Sequence, residues 1–327
     1  VTQRRSAPAV SVRGLAKVYR QRSTAFGPPV LIQALAGVDV DIPAGTTLGV
    51  VGESGCGKST LGRCLVSLER PTEGEIRVGG VAVERLRGGE RRRFRRRAQY
   101  VFQDPFSSLD PRMRVGPQVA EPMRVHKLVS RRETRHATER LFDRVGLPSD
   151  SWERFPHEFS GGQRQRIVIA RALAVDPDFL VADEPVSALD VSVQAQILNL
   201  VLDLKEELGL TMVFIAHDLS VVEFVSDRVA VMYLGRVVEC GSRDAVFGRP
   251  AHPYTKALLA SAPRSDPKDR QPSAPLPGDP PSPANPPKGC PFHPRCERAQ
   301  GRCKTAHPPL LELAEGHTVR CIYPHKP

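Results

Sequence analysis

Gly52-Glu53-Ser54-Gly55-Cys56-Gly57-Lys58-Ser59 fits G-x-x-x-x-G-K-[ST], a loop whose backbone N–H groups cradle a polyphosphate. Gly55 and Gly57 let the amides turn inward, Lys58 neutralises β- and γ-phosphate charge, and Ser59 offers its hydroxyl to Mg²⁺. Glu53, Ser54 and Cys56 read as spacers whose side chains matter less. Asp183 and Glu184 close the apolar run Phe179-Leu180-Val181-Ala182. The first acid suits a Mg²⁺ shell, and the second suits a general base for an attacking water. In isolation such a pair reads better as solvated charge; the apolar run before it and Pro185-Val186-Ser187-Ala188-Leu189-Asp190 after it reverse that in favour of chemistry. Ser160-Gly161-Gly162-Gln163 joins a good N-cap serine to two glycines that permit close approach, so its N–H groups can grip a phosphate. Cys290, Cys296, Cys303 and Cys321 form C-x5-C-x6-C-x17-C, a density that points to a metal or cluster. Zinc on four thiolates is one occupant, although structural zinc ligands usually pair more closely. Cys56, Cys64 and Cys240 are dispersed and read as small buried or loop residues.

These groups need rigid elements to hold them. Thr47-Leu48-Gly49-Val50-Val51 precedes the phosphate loop and Leu61-Gly62-Arg63-Cys64-Leu65 follows it, giving strand, loop, helix; the helix N-terminus adds partial positive charge at the phosphates. Upstream, Val10, Val12 and Leu15 lead into Tyr19, and Val38 to Ile42 alternates with period two, so the chain begins as β, with a polar loop from Gln21 to Pro29. Phe179 to Ala182 and Met212 to Ala216 read as buried parallel strands. Val193, Ile197, Leu200, Val201, Leu204 and Leu208 recur at helical spacing between them, with Gly209 as the stop. Residues 105–173 are poor in strand signals, with helices expected from Arg131 to Val145 and from Arg164 to Leu173. The sum is an α/β chain with a parallel sheet and helical crossovers. Pro263 to Gly289 carries ten prolines and reads as an extended arm. Since this arm separates the cysteines from the phosphate loop, the phosphate site is expected to survive loss of a cluster held by them.

A length of 327 residues suggests about two domains, and 40% hydrophobic with 25% charged residues is ordinary for a globular protein. No apolar run reaches the ~18 residues of a membrane span, and Val1 to Ser6 lacks the apolar core of a signal peptide, so separate chains are expected to supply any spans. The net charge of +11 is concentrated between Arg85 and Arg97, where eight arginines face one acid, Glu90. That stretch reads as a charged face beside a loop, with anionic lipid headgroups as an alternative contact. Nucleic acid is not expected as a partner, because no binding motif or interleaved aromatics accompany the charge.

Taken together, the phosphate loop, Phe159-Ser160-Gly161-Gly162-Gln163 and the strand ending in Asp183-Glu184 resemble the ATP-binding subunits of ABC transporters. The resemblance narrows to the dipeptide and oligopeptide (peptide/nickel) importers, and Leu48 to Arg63 resembles the second of the two ATPase subunits that such importers use. The narrowing to these importers comes through Phe102-Gln103-Asp104-Pro105 continuing to Met113, Val231 to Arg236, His252-Pro253-Tyr254-Thr255 and Cys290-Pro291-Phe292-His293-Pro294-Arg295-Cys296. The resemblance implies an ABC nucleotide-binding domain over 1–245, built of a parallel core sheet, an antiparallel β subdomain and a helical signature subdomain over about 105–173. A C-terminal extension with a Pro-rich arm over 246–289 and a small four-cysteine module over 290–327 are expected to follow.

The resemblance also assigns roles. Tyr19 would stack on adenine, while Gly52, Glu53, Ser54, Gly55, Cys56, Gly57, Lys58, Ser59, Thr60 and Gln103 would bind ATP. Ser59, Gln103 and Asp183 would hold Mg²⁺. Glu184 and His217 would be catalytic. Ser160, Gly161, Gly162, Gln163 and Asp190 would serve the ATP of a partner cassette, with Phe159 standing where the family usually has leucine. Some members hold a [4Fe–4S] cluster on cysteines spaced as Cys290, Cys296, Cys303 and Cys321 are; zinc is the alternative. The implied function is ATP hydrolysis on the cytoplasmic face of the membrane, powering peptide uptake. The implied partners are a second ABC ATPase forming a heterodimer, two transmembrane permease subunits and an extracytoplasmic substrate-binding protein. A related importer for nickel or another small solute, or a soluble non-transport ABC ATPase, are the rival readings; tandem cassettes or a coiled-coil insertion would mark the latter, and neither is present.

Overall fold

Apolar residues at alternating positions build the first strands. Val10, Val12 and Leu15 are buried on β1 (Val10–Gln21), as are Val38, Val40 and Ile42 on β2 (Val30–Ile42). The computed structural model describes residues 8–21, 29–261 and 278–325. These fall into two compact units, 8–85 with 216–325, and 86–215. Most of the polar loop expected from Gln21 to Pro29, and the start of the Pro-rich arm, lie outside the described residues.

The first unit continues with β3 (Thr47–Val51), α1 (Lys58–Leu65), β4 (Glu73–Val78) and β5 (Val81–Ala82). β1 pairs antiparallel with β2 on one side and β4 on the other, giving a sheet of order β2-β1-β4-β5. This is the antiparallel β subdomain that the family resemblance implies.

The second unit holds α2 (Gly88–Arg97), β6 (Ala98–Val101), α3 (Val115–Val125), α4 (Thr134–Arg144), α5 (Gly161–Leu173), β7 (Phe179–Asp183), α6 (Val191–Leu208) and β8 (Thr211–Ile215). Strands β8, β7 and β6 lie side by side in that order and run parallel. Every residue of β7 and β8 is buried, which is why both read as unbroken apolar runs rather than alternations. Gly209 ends α6 in the left-handed conformation at φ 62°. α4 starts at Thr134 rather than Arg131 because the Glu133 carboxylate accepts the N–H and hydroxyl of Ser130, fixing a turn first. The arginine-rich stretch is the helix α2, whose buried residue is Phe94.

The chain re-enters the first unit with α7 (Leu219–Val225), β9 (Arg228–Tyr233), β10 (Arg236–Ser242), α8 (Arg243–Gly248), α9 (Pro253–Ser261), α10 (Gly301–Thr305), β11 (Leu310–Ala314) and β12 (His317–Arg320). β3 lies parallel to β9, and the order within this unit is β11-β12-β10-β9-β3. Gly49 lets α7 lie directly on β3, since a Cβ there would stand 2.2 Å from Ser226 Oγ.

The cysteine-bearing C-terminus is not the separate module expected. β12 joins the sheet through Glu239↔Val319 and Cys240↔Thr318. Phe292 is buried and packs edge-on against Tyr233 and Tyr254, with centroids 5.3 Å apart in each pair. So short a stretch cannot assemble a core of its own, and it borrows one from the cassette. Farther upstream, Gln33 donates its N–H to the Pro283 carbonyl at 3.2 Å, so the described end of the Pro-rich arm lies against β2.

A buried carboxylate anchors this docking. Glu239 accepts hydrogen bonds from the Ala251 and His252 N–H groups and from His317 Nε2, each at 2.8 Å. Burial alone would raise its pKa, but the bonds from His317, Ala251 and His252 outweigh burial and hold it below the ordinary value. Burial pushes the neighbouring His252 down to about 4. The unfolded chain therefore takes up a proton at His252 below its ordinary value of 6.5 while the folded chain does not until about 4. Stability should fall as pH drops through that window, by up to about 1.4 kcal/mol per unit. Glu239 adds to the loss further down, as its depressed pKa is approached. Thermal unfolding at pH 7.5 and 5.0 should show a steeper fall for the wild type than for His252→Gln; equal falls would remove His252 from this role.

Candidate active site

The phosphate loop joins β3 to α1, and its glycines are required by geometry. Gly52 and Gly57 adopt φ 149° and 104°, and a Cβ on them would stand 2.2 Å from the Met232 carbonyl oxygen and 2.3 Å from that of Ala34. Behind the loop, Gly235 donates its N–H to the Cys56 carbonyl at 2.9 Å. The β9–β10 turn and β2 thus brace the loop. Lys58 is buried, and its Nζ donates to the carbonyls of Gly52 at 2.7 Å and Glu53 at 3.1 Å. An anion entering the loop meets this ammonium and the N–H groups of a first helical turn, where Ser59 and Thr60 lie and no acid intrudes.

Glu53 is not the idle spacer expected. Its N–H donates to Tyr254 Oη at 2.9 Å, and its carboxylate accepts both arms of the Arg295 guanidinium at 2.7 and 2.9 Å. Neither partner is legible from spacing, being 201 and 242 residues away in sequence. The nearest signal is the stretch around His252-Pro253-Tyr254, distinctive yet without a chemical role of its own.

In the second unit, β7 delivers Asp183 buried and Glu184 at its rim. Tyr100 Oη donates to Asp183 Oδ2 at 2.5 Å, and Gln103 Nε2 donates to Glu184 Oε2 at 2.8 Å. Gln103 and Glu184, distant in sequence, are thereby brought together. Glu184 takes the left-handed conformation at φ 47°, with its N–H on the Ile215 carbonyl at 2.9 Å. A non-glycine residue held this way stores backbone strain, a common trait of catalytic positions.

Ser160 caps α5 in a reciprocal box. Its Oγ accepts the Gln163 N–H at 3.3 Å, and Gln163 Oε1 accepts the Ser160 N–H at 3.0 Å. Gly162 serves packing as much as access, since a Cβ there would stand 2.3 Å from Val193 Cγ1 on α6. Gly161 is less confined, with Leu189 at 3.3 Å from such a Cβ. Phe159 is buried beneath the Arg154 guanidinium, 4.4 Å from its ring centroid. Asp190 is the N-cap of α6, its Oδ1 accepting the Val193 N–H at 3.0 Å; that bond, first, and the Ser192 hydroxyl hold its carboxyl below the ordinary range.

His217 is exposed and precedes α7, which Asp218 caps through the Ser220 N–H at 2.8 Å. Tyr19 stands half-buried on β1, with Lys17 Nζ 4.9 Å from its ring centroid.

Cys290, Cys296, Cys303 and Cys321 line one cavity of about 20 Å³. Burial raises the thiol pKa values of Cys290 and Cys296 and pushes Cys321 up to about 11. Among the described residues, no three His, Cys, Asp or Glu side chains are grouped so as to hold a single metal ion. Cys56, Cys64 and Cys240 are buried elsewhere, as expected. Among the described residues, no helix is long and apolar enough to cross a membrane.

Residues 35–187 match the family model described as ABC transporter, and residues 238–303 match that of the oligopeptide/dipeptide transporter, C-terminal region. The chain is 49% identical over 315 residues to the Dipeptide transport ATP-binding protein DppF of Escherichia coli (strain K12), spanning 96% of this chain and 94% of that one. It belongs to the oligopeptide/dipeptide branch of the ABC transporter ATP-binding proteins. The DppF of Haemophilus influenzae is 48% identical over 316 residues, 97% of each chain. Among solved structures, a dimeric ATP-binding cassette in a post-hydrolysis state with ADP and Pi shares 31% identity. Its TM-score is 0.64, over 72% of this chain and 98% of that one. The α/β cassette fold expected from the motifs is therefore the fold of this ABC family member.

Proposed function

We propose that this chain is the ATP-hydrolysing subunit that powers import of dipeptides or oligopeptides. The observation that carries the proposal is the braced phosphate loop with Lys58 held inside it, in a chain of this family. ATP binds through its β- and γ-phosphates to the amides from Gly52 to Thr60 and to Lys58, and Tyr19 stacks on its adenine. Ser59, Asp183 and Gln103 fit Mg²⁺ in kind, being oxygen donors with one of them a buried carboxylate. Bound there, Mg²⁺ supplies charge neutralisation at the phosphate oxygens. Glu184 takes a proton from the attacking water, with Gln103 holding its carboxylate in orientation. His217 orients the water and meets the γ-phosphate. Ser160, Gly161, Gly162 and Gln163 present α5's N-terminus to ATP on a second cassette, and Asp190 aligns the two.

The partners are then a second ABC ATPase subunit in a heterodimer, two transmembrane permease subunits and an extracytoplasmic substrate-binding protein, with this chain on the cytoplasmic face of the membrane. Affinity purification of the tagged chain from its own membranes tests this. Two permease chains, a second cassette and bound peptide are expected together; nickel or another small solute in place of peptide would favour the rival importer, and no membrane chain would refute transport.

The four cysteines are proposed as ligands of a [4Fe–4S] cluster. All four line one cavity, and four thiolates are the ligand set that such a cluster takes. Anaerobically purified chain should be brown with about four irons. Replacing any of the four by Ser should bleach it, and Cys56→Ser should not. Stoichiometric zinc without iron would overturn the cluster.

A further inference from the structure

We infer that Arg295 is a positioning residue for the phosphate loop, and that it couples nucleotide affinity to the state of the four-cysteine segment. The inference rests on the reading of that loop as the ATP site.

Glu53, the second residue of the loop, is held from three sides. Lys58 Nζ takes its carbonyl at 3.1 Å, Tyr254 Oη takes its N–H at 2.9 Å, and Arg295 forks onto its carboxylate at 2.7 and 2.9 Å. The Arg295 side chain is only 5% exposed and the Glu53 side chain 23%, so this is a largely desolvated ion pair rather than a surface one. Tyr233 completes the cage, with its Oη 3.4 Å from Arg295 Nη1.

The guanidinium is placed by the cysteine segment itself. Arg295 ends the single helical turn His293–Arg295 between Cys290 and Cys296. The Cys290 carbonyl accepts the His293 N–H at 3.1 Å, the Cys296 N–H reaches the His293 carbonyl at 3.4 Å, and the Cys290 N–H reaches the Cys303 carbonyl at 2.8 Å. Movement of these cysteines must therefore move Arg295.

Withdrawing Arg295 has two consequences for an incoming polyphosphate. Glu53 loses one of its three holds, and its carboxylate, left half-buried without its cation, sets a negative charge in a loop built to receive anions. Breaking one side of a buried pair is costly for that reason, while removing both sides is not. Coupling between sites is reciprocal, so bound ATP should in turn steady the cysteine segment. This reverses the independence expected from the intervening proline-rich arm.

Equilibrium binding of Mg-ATP to the purified full-length chain, by calorimetry, tests the proposal. Arg295→Gln should weaken binding by about tenfold, within the usual range of coupling between two sites. Arg295→Lys should lie between it and the wild type, because an ammonium cannot make the forked contact. Adding Glu53→Gln to Arg295→Gln should restore affinity to within about threefold of wild type, as expected when both members of a buried pair are removed. A purely structural loss at Arg295 would not be rescued this way, and rescue also proves that the chain is folded. Cys303→Ser should weaken ATP binding alone and add nothing in the Arg295→Gln background. Affinity unchanged by Arg295→Gln, failure of the Glu53→Gln rescue, or additive effects of Cys303→Ser and Arg295→Gln would each overturn the coupling. A wild-type chain that does not bind Mg-ATP would instead refute the nucleotide-site reading beneath it.

Discussion

Glu184→Gln should leave ATP binding intact and lower turnover of the assembled complex by roughly 10² to 10⁴-fold, the usual contribution of a positioned general base. The substitution keeps the shape and the hydrogen bond from Gln103 Nε2, now 2.8 Å from Glu184 Oε2, while removing the group that accepts the proton. It also leaves the left-handed backbone at φ 47° as it was. With hydrolysis blocked and binding preserved, two cassettes should accumulate as an ATP-bound closed pair, visible as a larger species in size-exclusion chromatography. Turnover within a few-fold of wild type would exclude Glu184 as the base and leave Gln103 orienting a residue of another role.

Ser160→Arg should nearly abolish turnover of the complex while the isolated mutant chain binds ATP as the wild type does. Ser160 is exposed at the N-cap of α5, and replacing a good cap by a poor one costs about 1 kcal/mol, too little to unfold a domain. The arginine would place a long cation where the helix N-terminus is proposed to meet a partner's nucleotide. Loss of ATP binding by the isolated chain would instead assign Ser160 to its own nucleotide site or to folding.

The parts of the site that one segment builds were legible in the sequence. The loop from Gly52 to Ser59 carries its own geometry in its glycines, and positive φ at Gly52, Gly55 and Gly57 bears out why they stand there. β7 and β8 announced themselves because strands covered on both faces tolerate only apolar residues. α6 was visible through its spacing and its glycine stop. By contrast, α2 hides a single buried Phe94 among arginines, so composition masked its periodicity.

Gly162 shows a subtler limit. Two glycines after Ser160 suggest open access for a phosphate, yet the second is needed because Val193 packs against it. Only the tertiary contact separates the two causes. The same holds for Arg295, which in sequence is one basic residue between two cysteines. Its meaning lies in Glu53, 242 residues away, and in the aromatic cage of Tyr233, Tyr254 and Phe292 that brings the C-terminus onto the loop. β12 likewise gave no cue that it would extend the sheet beside β10, because its four residues carry too short a pattern.

On the proposed function, ATP hydrolysed by this chain drives peptide across a membrane. Uptake of a radiolabelled dipeptide by vesicles containing the two permeases, both cassettes and enclosed Mg-ATP, with the substrate-binding protein outside, tests it most directly. Dipeptide should accumulate inside against its gradient, and Glu184→Gln in this chain should abolish the accumulation. Vigorous ATP hydrolysis by the same vesicles with no dipeptide gained, or uptake undiminished by Glu184→Gln, would contradict the account.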